Sequence, residues 1–375
     1  MRHIAKVTTT VAAVALLALT ACSSRTESAS PGTAETDTST TEEAAAGFDA
    51  GSVIGVALPA KTSENWVLAG KLFEDGLAEA GFEADVQYAS ASSPVQDQQS
   101  QITSMITNGA KVIVIGATDA GQLGSQISQA AEAGITTIAY DRLILNSPDI
   151  GYYIGFDANK VGNLQAEALL EGLAERFPEK TSYNIELFSG SPDDANSAVF
   201  FNGAMEVLQP KIDDGTLVVV SGQTDIAQTA TQGWLAQNAQ TRMDTLLQGN
   251  YTGTDLDGVL SPNDTLARAI LTSVAAAGKP LPIVTGQDSE EESVKAIMAG
   301  DQYSTIYKDT RRLVAQIIAA VTALQAGDEP EINDTSFDNG AKLMDSFLLD
   351  PVIVTQENAG EVYKDNPTLF AITQE

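Results

Sequence analysis

From Val53 onward, short β-branched runs alternate with longer stretches whose apolar residues recur every three or four positions. Val53–Leu58 predicts a buried strand and Trp66–Ala80 an amphipathic helix. The pairing repeats in Glu83–Tyr88 with Pro94–Asn108, and in Lys111–Ile115 with Gln122–Ala133, before strand Thr136–Tyr140 closes the series. Gly81, Gly109 and Gly134 follow the three helices, where a left-handed residue is needed and glycine supplies it without strain. A second series predicts a helix from Lys160 to Arg176, strand Tyr183–Phe188, helix Ala195–Leu208 and strand Leu217–Ser221. It runs on through helix Thr229–Leu247, strand Gly258–Ser261, helix Asp264–Ala277 and strand Pro282–Thr285, and ends with helix Glu291–Ala299 and strand Tyr303–Tyr307. Strands alternating with helices build doubly wound parallel sheets, so the expected class is α/β with two tandem lobes. In open sheets of this kind a ligand binds beyond the carboxyl ends of the strands. Two such edges facing each other make a cleft.

The amino end follows a different pattern. Arg2 and Lys6 precede an apolar run from Val11 to Ala21 that carries no acid, and Leu19-Thr20-Ala21 leads directly into Cys22, the only cysteine. This predicts a secretory signal over residues 1–21, too short for a stable membrane span. A cysteine at the cleavage point has the form of a bacterial lipobox, which would place acyl chains on Cys22 and make it the first residue of the mature chain. Residues 22–51, rich in Ser, Thr, Ala and Glu, cannot bury enough apolar surface to fold and predict a flexible spacer. The folded part is thus expected outside the cytoplasm, held to the cell membrane only through its lipid.

Composition narrows the chemistry further. His3, the one histidine, falls in the removed segment, so Ser-His-Asp or Cys-His catalysis and ordinary His/Cys metal sites are unavailable; no metal or cofactor is expected. Removing residues 1–21 takes away two basic residues and lowers the formal charge from −30 to −32. So acidic a surface repels phosphate backbones, which argues against nucleic acid. Gly278-Lys279 is followed by Pro280 rather than completing a phosphate loop, and the fragment from Asp255 to Gly258 lacks the glycine and the glutamate of a calcium loop.

The polar residues where strands stop are the candidate site. Thr136–Tyr140 runs into Asp141-Arg142, a carboxylate beside a planar donor fork: a pairing suited to a polyhydroxylated ring, or to a surface ion pair. Tyr183–Phe188 leads into a Gly/Pro-shaped turn ending in Asp193-Asp194-Ala195-Asn196, where Asp194 serves a ligand or caps the next helix. Asn263, Asp288 and Lys308 follow three further strands. Trp66 and Trp234, the only tryptophans, belong either to the core or to aromatic walls against the C–H face of a sugar. The run Glu290-Glu291-Glu292 complements a helix dipole.

Tyr140-Asp141-Arg142-Leu143-Ile144, the stretch from Asn184 to Asp194, Gly286-Gln287-Asp288 and the stretch from Gln302 to Arg311 carry a specific resemblance. From Ile54 to about Asn358 the chain resembles type I periplasmic sugar-binding proteins, in the branch that binds xylose and multiple monosaccharides. The resemblance implies two lobes joined by a three-segment hinge: residues 52–157 and 308–330 in the first, and 158–307 and 331–375 in the second. It also implies that Asp141 and Arg142 hold ring hydroxyls from the first lobe and that Asp194, Asn196, Asn263 and Asp288 do so from the second, with Lys308 at a crossover and Trp66 and Trp234 as walls. Asn65 stands before Trp66 where relatives often carry an arginine, so the sugar preference is open.

The function this implies is a monomeric, lipid-anchored solute-binding protein that captures an aldose such as xylose, glucose or galactose and delivers it to an ABC permease and its ATPase. A sensor whose closed form docks on a chemosensory receptor ectodomain is the alternative, and a secreted glycoside hydrolase a more distant one. The anchor has a direct test. Cys22→Ser should move the protein from the membrane fraction to the soluble fraction, or leave it misprocessed; a variant still membrane-bound and correctly matured would show that Cys22 is not the attachment point.

Overall fold

The computed structural model describes residues 47–375; the signal segment, Cys22 and most of the predicted spacer lie outside the described residues. The first series comprises β1 (Val53–Leu58), α1 (Glu64–Glu79), β2 (Glu83–Tyr88), α2 (Pro94–Thr107), β3 (Val112–Ile115), α3 (Gly124–Glu132), β4 (Thr136–Tyr140) and β5 (Tyr152–Phe156). The second begins with α4 (Ala158–Arg176), β6 (Tyr183–Leu187), α5 (Ala195–Asp213), β7 (Leu217–Val219), α6 (Ile226–Thr229) and α7 (Ala236–Asn250). It continues with β8 (Gly258–Leu260), α8 (Asp264–Ala276), β9 (Ile283–Val284), α9 (Glu291–Ala299) and β10 (Ser304–Tyr307). The chain ends through α10 (Thr310–Ala326), β11 (Asp345–Leu349), β12 (Val352–Thr355), α11 (Ala359–Val362) and α12 (Pro367–Ile372).

Two parallel sheets result, in the orders β11-β5-β4-β3-β1-β2 and β7-β6-β8-β9, with β10 and β12 forming an antiparallel ribbon. Both sheets are covered on both faces, which is why inner strands such as β1 and β3 read as continuous apolar runs, while the edge strand β2 alternates. Ile54, Val56 and Leu58 of β1 pack with Trp66 and Phe73 of α1 and Ile317 of α10. Ala57 and Ile113 face the other way, with Ile102 and Met105 of α2 and Ile127 of α3. In the second sheet α7 and α8 cover one face and α4 and α5 the other.

The series does not close at Tyr140. β5 extends the first sheet, pairing Ile138 with Tyr152. Its glycines hide it from a propensity argument, but both are set by close approach: a Cβ on Gly151 would lie 2.8 Å from Thr137 O, and one on Gly155 2.6 Å from the Tyr153 hydroxyl. The predicted helix Thr229–Leu247 is also broken. Ser189 N donates to Thr229 O and Thr231 N to Gly190 O, so this stretch bonds to the end of β6; Gly233 (φ 68°) and Trp234 (φ 55°) then turn the chain before α7 starts at Ala236.

The chain passes between the sheets three times: after β5, after β10 and after β11. The expected second-lobe segment 331–375 is corrected here, because it divides near residue 350. β11 pairs in parallel with β5, setting Asp345 opposite Tyr152, while Met344 and Leu349 bury in the first lobe's two cores. Asn339 Nδ2 donates to Ser147 O (2.8 Å), fastening the preceding loop to the same lobe. Only β12, α11 and α12 return to the second lobe, where Val354, Tyr363 and Leu369 pack with Val294 of α9.

The crossing of α4 on α5 depends on small residues. A Cβ on Gly162 would lie 2.0 Å from Phe200 O, and one on Gly203 2.4 Å from Asn159 O, both backbone atoms that cannot swing aside. Gly162→Ala should therefore destabilise the second lobe by about 2–3 kcal/mol, the upper range for overpacking, and lower its melting temperature by roughly 4–10 °C. Circular-dichroism melting checks this; an unchanged midpoint would mean the two helices separate without penalty.

Candidate functional site

The carboxyl ends of β1, β3 and β4 in one sheet, of β6, β8 and β9 in the other, and of β10 in the ribbon open onto a cavity of about 130 Å³ between the lobes. All ten residues expected from the sequence (Asn65, Trp66, Asp141, Arg142, Asp194, Asn196, Trp234, Asn263, Asp288 and Lys308) line it. No group of three or more acidic, His or Cys side chains positioned to hold a metal occurs among the described residues.

Charge organises the floor. Lys308, at the crossover after β10, is 7% exposed; its Nζ lies 3.0 Å from Asp288 Oδ1 and 3.6 Å from Asp141 Oδ1. Burial works against the ammonium, but the carboxylates of Asp141 and Asp288 outweigh it and hold its pKa above that of a free lysine. Burial raises Asp288 in turn, with Lys308 opposing. Apart from that ammonium, no donor of the protein reaches Asp288 Oδ1. That oxygen keeps a lone pair for a ligand hydroxyl.

Asp194 resolves the choice between cap and cleft by doing both. Its Oδ1 accepts from Asn196 N (3.0 Å), capping α5, while Oδ2 meets Arg142 Nε (3.0 Å) and Trp234 Nε1 (3.2 Å). Burial raises its pKa and Arg142 opposes. Arg142 belongs to the first lobe and Asp194 to the second, so the pair crosses the cleft rather than lying on the surface. Arg142 also donates to Ala117 O (3.0 Å), and its guanidinium lies 5.1 Å from the centre of the Trp66 ring. Asn196 Nδ2 crosses the same gap to Asp141 O (2.7 Å).

Both indoles border core and cavity. Trp66 sits in the first turn of α1, 7% exposed, edge-on to Tyr140. Trp234 lies in a 3₁₀ turn, not in a helix, against Gly190, where a Cβ would stand 2.1 Å from the indole. Close approach, not turn geometry, requires that glycine. Asn65 Oδ1 accepts from the Thr310 hydroxyl, and Asn263 Oδ1 caps α8 through Leu266 N (2.9 Å). Each amide then has its nitrogen left to donate.

Beside Asp288, Gln287 lines the same cavity, although its position in the sequence does not single it out. Gln287 is 2% exposed, and its Oε1 has no hydrogen-bond partner. Phe200 lies 5.7 Å from the Lys308 ammonium and Thr118 is fixed by Gln98, and neither was singled out. Phe200 lies in the middle of a helical pattern and Thr118 in an ordinary loop, so neither carries a sequence signal; Gln287 has only its adjacency to Asp288. Three of the five non-glycine residues with positive φ among the described residues, Asp141, Trp234 and Asp288, line this cavity. Strain concentrated at one place marks a site that the surrounding structure over-determines.

Residues 54–329 match the family model described as a periplasmic binding protein domain, and the chain belongs to that family. It is 47% identical over 315 residues to the multiple sugar-binding periplasmic receptor ChvE of Rhizobium radiobacter, covering 82% of this chain and 88% of that one. With the D-xylose-binding periplasmic protein of Escherichia coli it shares 34% identity, over 83% and 89% of the two chains. The crystal structure of an ABC transporter solute-binding protein from Clostridium phytofermentans with bound β-D-glucose superposes with a TM-score of 0.80 at 41% identity, covering 84% of this chain and 99% of that one. The fold is that of the type I periplasmic binding proteins.

Replacing Lys308 tests the electrostatic floor. Lys308→Met leaves Asp141 and Asp288 uncompensated and should cost about 3–5 kcal/mol of stability at pH 7. Burial already raises Asp288, and without the ammonium its pKa rises further, so protonation relieves the penalty. The deficit relative to wild type should therefore shrink as pH falls from 7 toward 5 in denaturant melts. A deficit that grew over that range would contradict this arrangement of charges.

Proposed function

We propose that this protein captures a neutral monosaccharide, an aldose in ring form, between its two lobes and delivers it to an ABC permease and its ATPase. The observation that carries the proposal is the convergence of ten side chains from both lobes on one small cavity whose lining offers opposite hydrogen-bonding roles side by side. Gln287 Oε1 is free to accept and Asp288 Oδ1, met only by the Lys308 ammonium, can accept again, while Asn65 and Asn263 retain amide nitrogens to donate. A sugar hydroxyl donates and accepts at once, and indoles suit the apolar face of its ring. The glucose in the Clostridium relative supports an aldose here, and the D-xylose and multiple-sugar names of the other relatives support the same class.

The same charges support binding without cleavage. Three carboxylates of the cavity face cations, Asp194 with Arg142 and both Asp141 and Asp288 with Lys308. Glycoside hydrolysis needs one carboxyl kept protonated and a second opposed to it across the bond. The relatives are named as periplasmic proteins, which supports a place outside the cytoplasm. Attachment at Cys22 is part of the proposal.

Calorimetric titration with D-glucose, D-xylose and D-galactose tests it. Wild type should bind at least one of the three. Asp141→Asn, which tolerates the φ of 61° at that position, should weaken binding roughly 10- to 100-fold, the worth of one charge-assisted hydrogen bond, with the fold retained. Wild type silent across the panel would remove the monosaccharide assignment; an unchanged affinity in the variant would remove Asp141 from the contacts.

A further inference from the structure

Beside the cavity, the amino ends of two helices from opposite lobes meet. Ser63 caps α1: its Oγ accepts from Asn65 N (3.1 Å) and itself donates to Glu290 Oε1 (2.9 Å) on the second lobe. Glu290 is 3% exposed and held rigidly, by Arg268 (2.6 Å) and by Thr265 Oγ1 (2.8 Å to Oε2), while its own N–H donates to Asp264 Oδ2 (3.0 Å). In the reverse direction the N–H of Glu291, in the first turn of α9, donates to Glu64 Oε2 (3.1 Å) on the first lobe. A helix amino end exposes unpaired N–H groups and the positive end of the dipole. Here each lobe supplies a carboxylate to the other lobe's helix end.

We propose that this reciprocal pair, Glu290 at the start of α1 and Glu64 at the start of α9, is a clasp that holds the lobes closed without itself touching the ligand. Neither glutamate lines the cavity; both face the groove beside it. The clasp is nonetheless continuous with the cavity wall. Ser63 and Glu64 immediately precede Asn65 and Trp66, and Glu290 and Glu291 follow Gln287 and Asp288 in the same turn. Fastening it seats the two turns that carry cavity side chains. Two carboxylates meeting here repel, and Arg268 beside Glu290 offsets this: burial and Glu290 raise the pKa of Glu64, and Arg268 lowers it. The proposal rests on the reading of the cleft as one that opens and closes.

Single-molecule energy transfer tests it, on full chain carrying Cys22→Ser and dyes at Glu132→Cys and Lys211→Cys, exposed positions on the two lobes. Glu64→Ala, at an exposed residue, and Glu290→Gln should each shorten the closed-state dwell about 3- to 10-fold, the worth of one hydrogen bond with its helix-end charge. The rate of closing should stay within about twofold of wild type, since these contacts exist only once the lobes meet. The same shortening is expected with and without D-glucose. A closed dwell in Glu64→Ala equal to wild type overturns the clasp. A wild-type dwell indifferent to D-glucose counts against the glucose assignment alone, and the variants still decide the clasp.

Discussion

Lys308 stands where β10 hands the chain to α10, with its ammonium between Asp141 of the first lobe and Asp288 of the second. A buried carboxylate without a partner is expensive, and two near each other are more so. One cation placed at the hinge makes both tolerable, and it does so only while the two lobes hold their carboxylates against it. The ammonium is itself 7% exposed and is kept charged by the acids it neutralises. Three charges of one mutual dependence thus join hinge, first lobe and second lobe.

The remaining features elaborate that constraint. Asp141 and Asp288 reach Lys308 from backbone positions at φ 61° and 96°, conformations a non-glycine residue adopts only when its surroundings insist. Asp264, fully buried at the start of α8, accepts from Glu290 N, Thr305 Oγ1 and Gln302 Nε2, and so pins the strained 287–290 turn to the strand that delivers Lys308. Arg142 and Asp194 repeat the device farther from the hinge, with Trp234 attached to the same carboxylate oxygen. The protein also leaves some hydrogen-bonding capacity unspent: Gln287 Oε1 has no partner, and Asp288 Oδ1 meets only the Lys308 ammonium. Free lone pairs inside a charge-balanced pocket suit an uncharged, hydroxyl-rich guest.

Much of this was legible before any coordinates. β1, β2, β4 and α9 start and stop where the apolar pattern places them, because runs such as Val53–Leu58 bury on both faces and admit no other element. Asp141, Arg142, Asp194, Asn196, Asn263, Asp288 and Lys308 are legible because a strand's end is a fixed address, and whatever polar group follows it must sit at the sheet's edge, whereas Asn65, Trp66 and Trp234 are reached through the resemblance. Elements fixed by tertiary contact were not. β5 carries one glycine and follows another, both required by close neighbours, Trp234 is pulled from a helix by the edge of β6, and β11 crosses back to the first lobe for partners 193 positions away. Gln287 had no signal of its own beyond standing beside Asp288, since a buried unpaired oxygen becomes visible only when the rest of the fold is in place.

Binding and lobe closure are one event in this account, because the cavity exists only where both sheets' edges meet and its floor is charge-balanced only when Lys308 faces both carboxylates. Small-angle scattering of the protein, titrated with the aldose it binds, measures that identity directly. The account predicts a radius of gyration that falls with sugar along the same saturation curve as the calorimetric binding. Saturable binding at a constant radius would contradict it, since the ligand would then be entering a cleft whose lobes do not move.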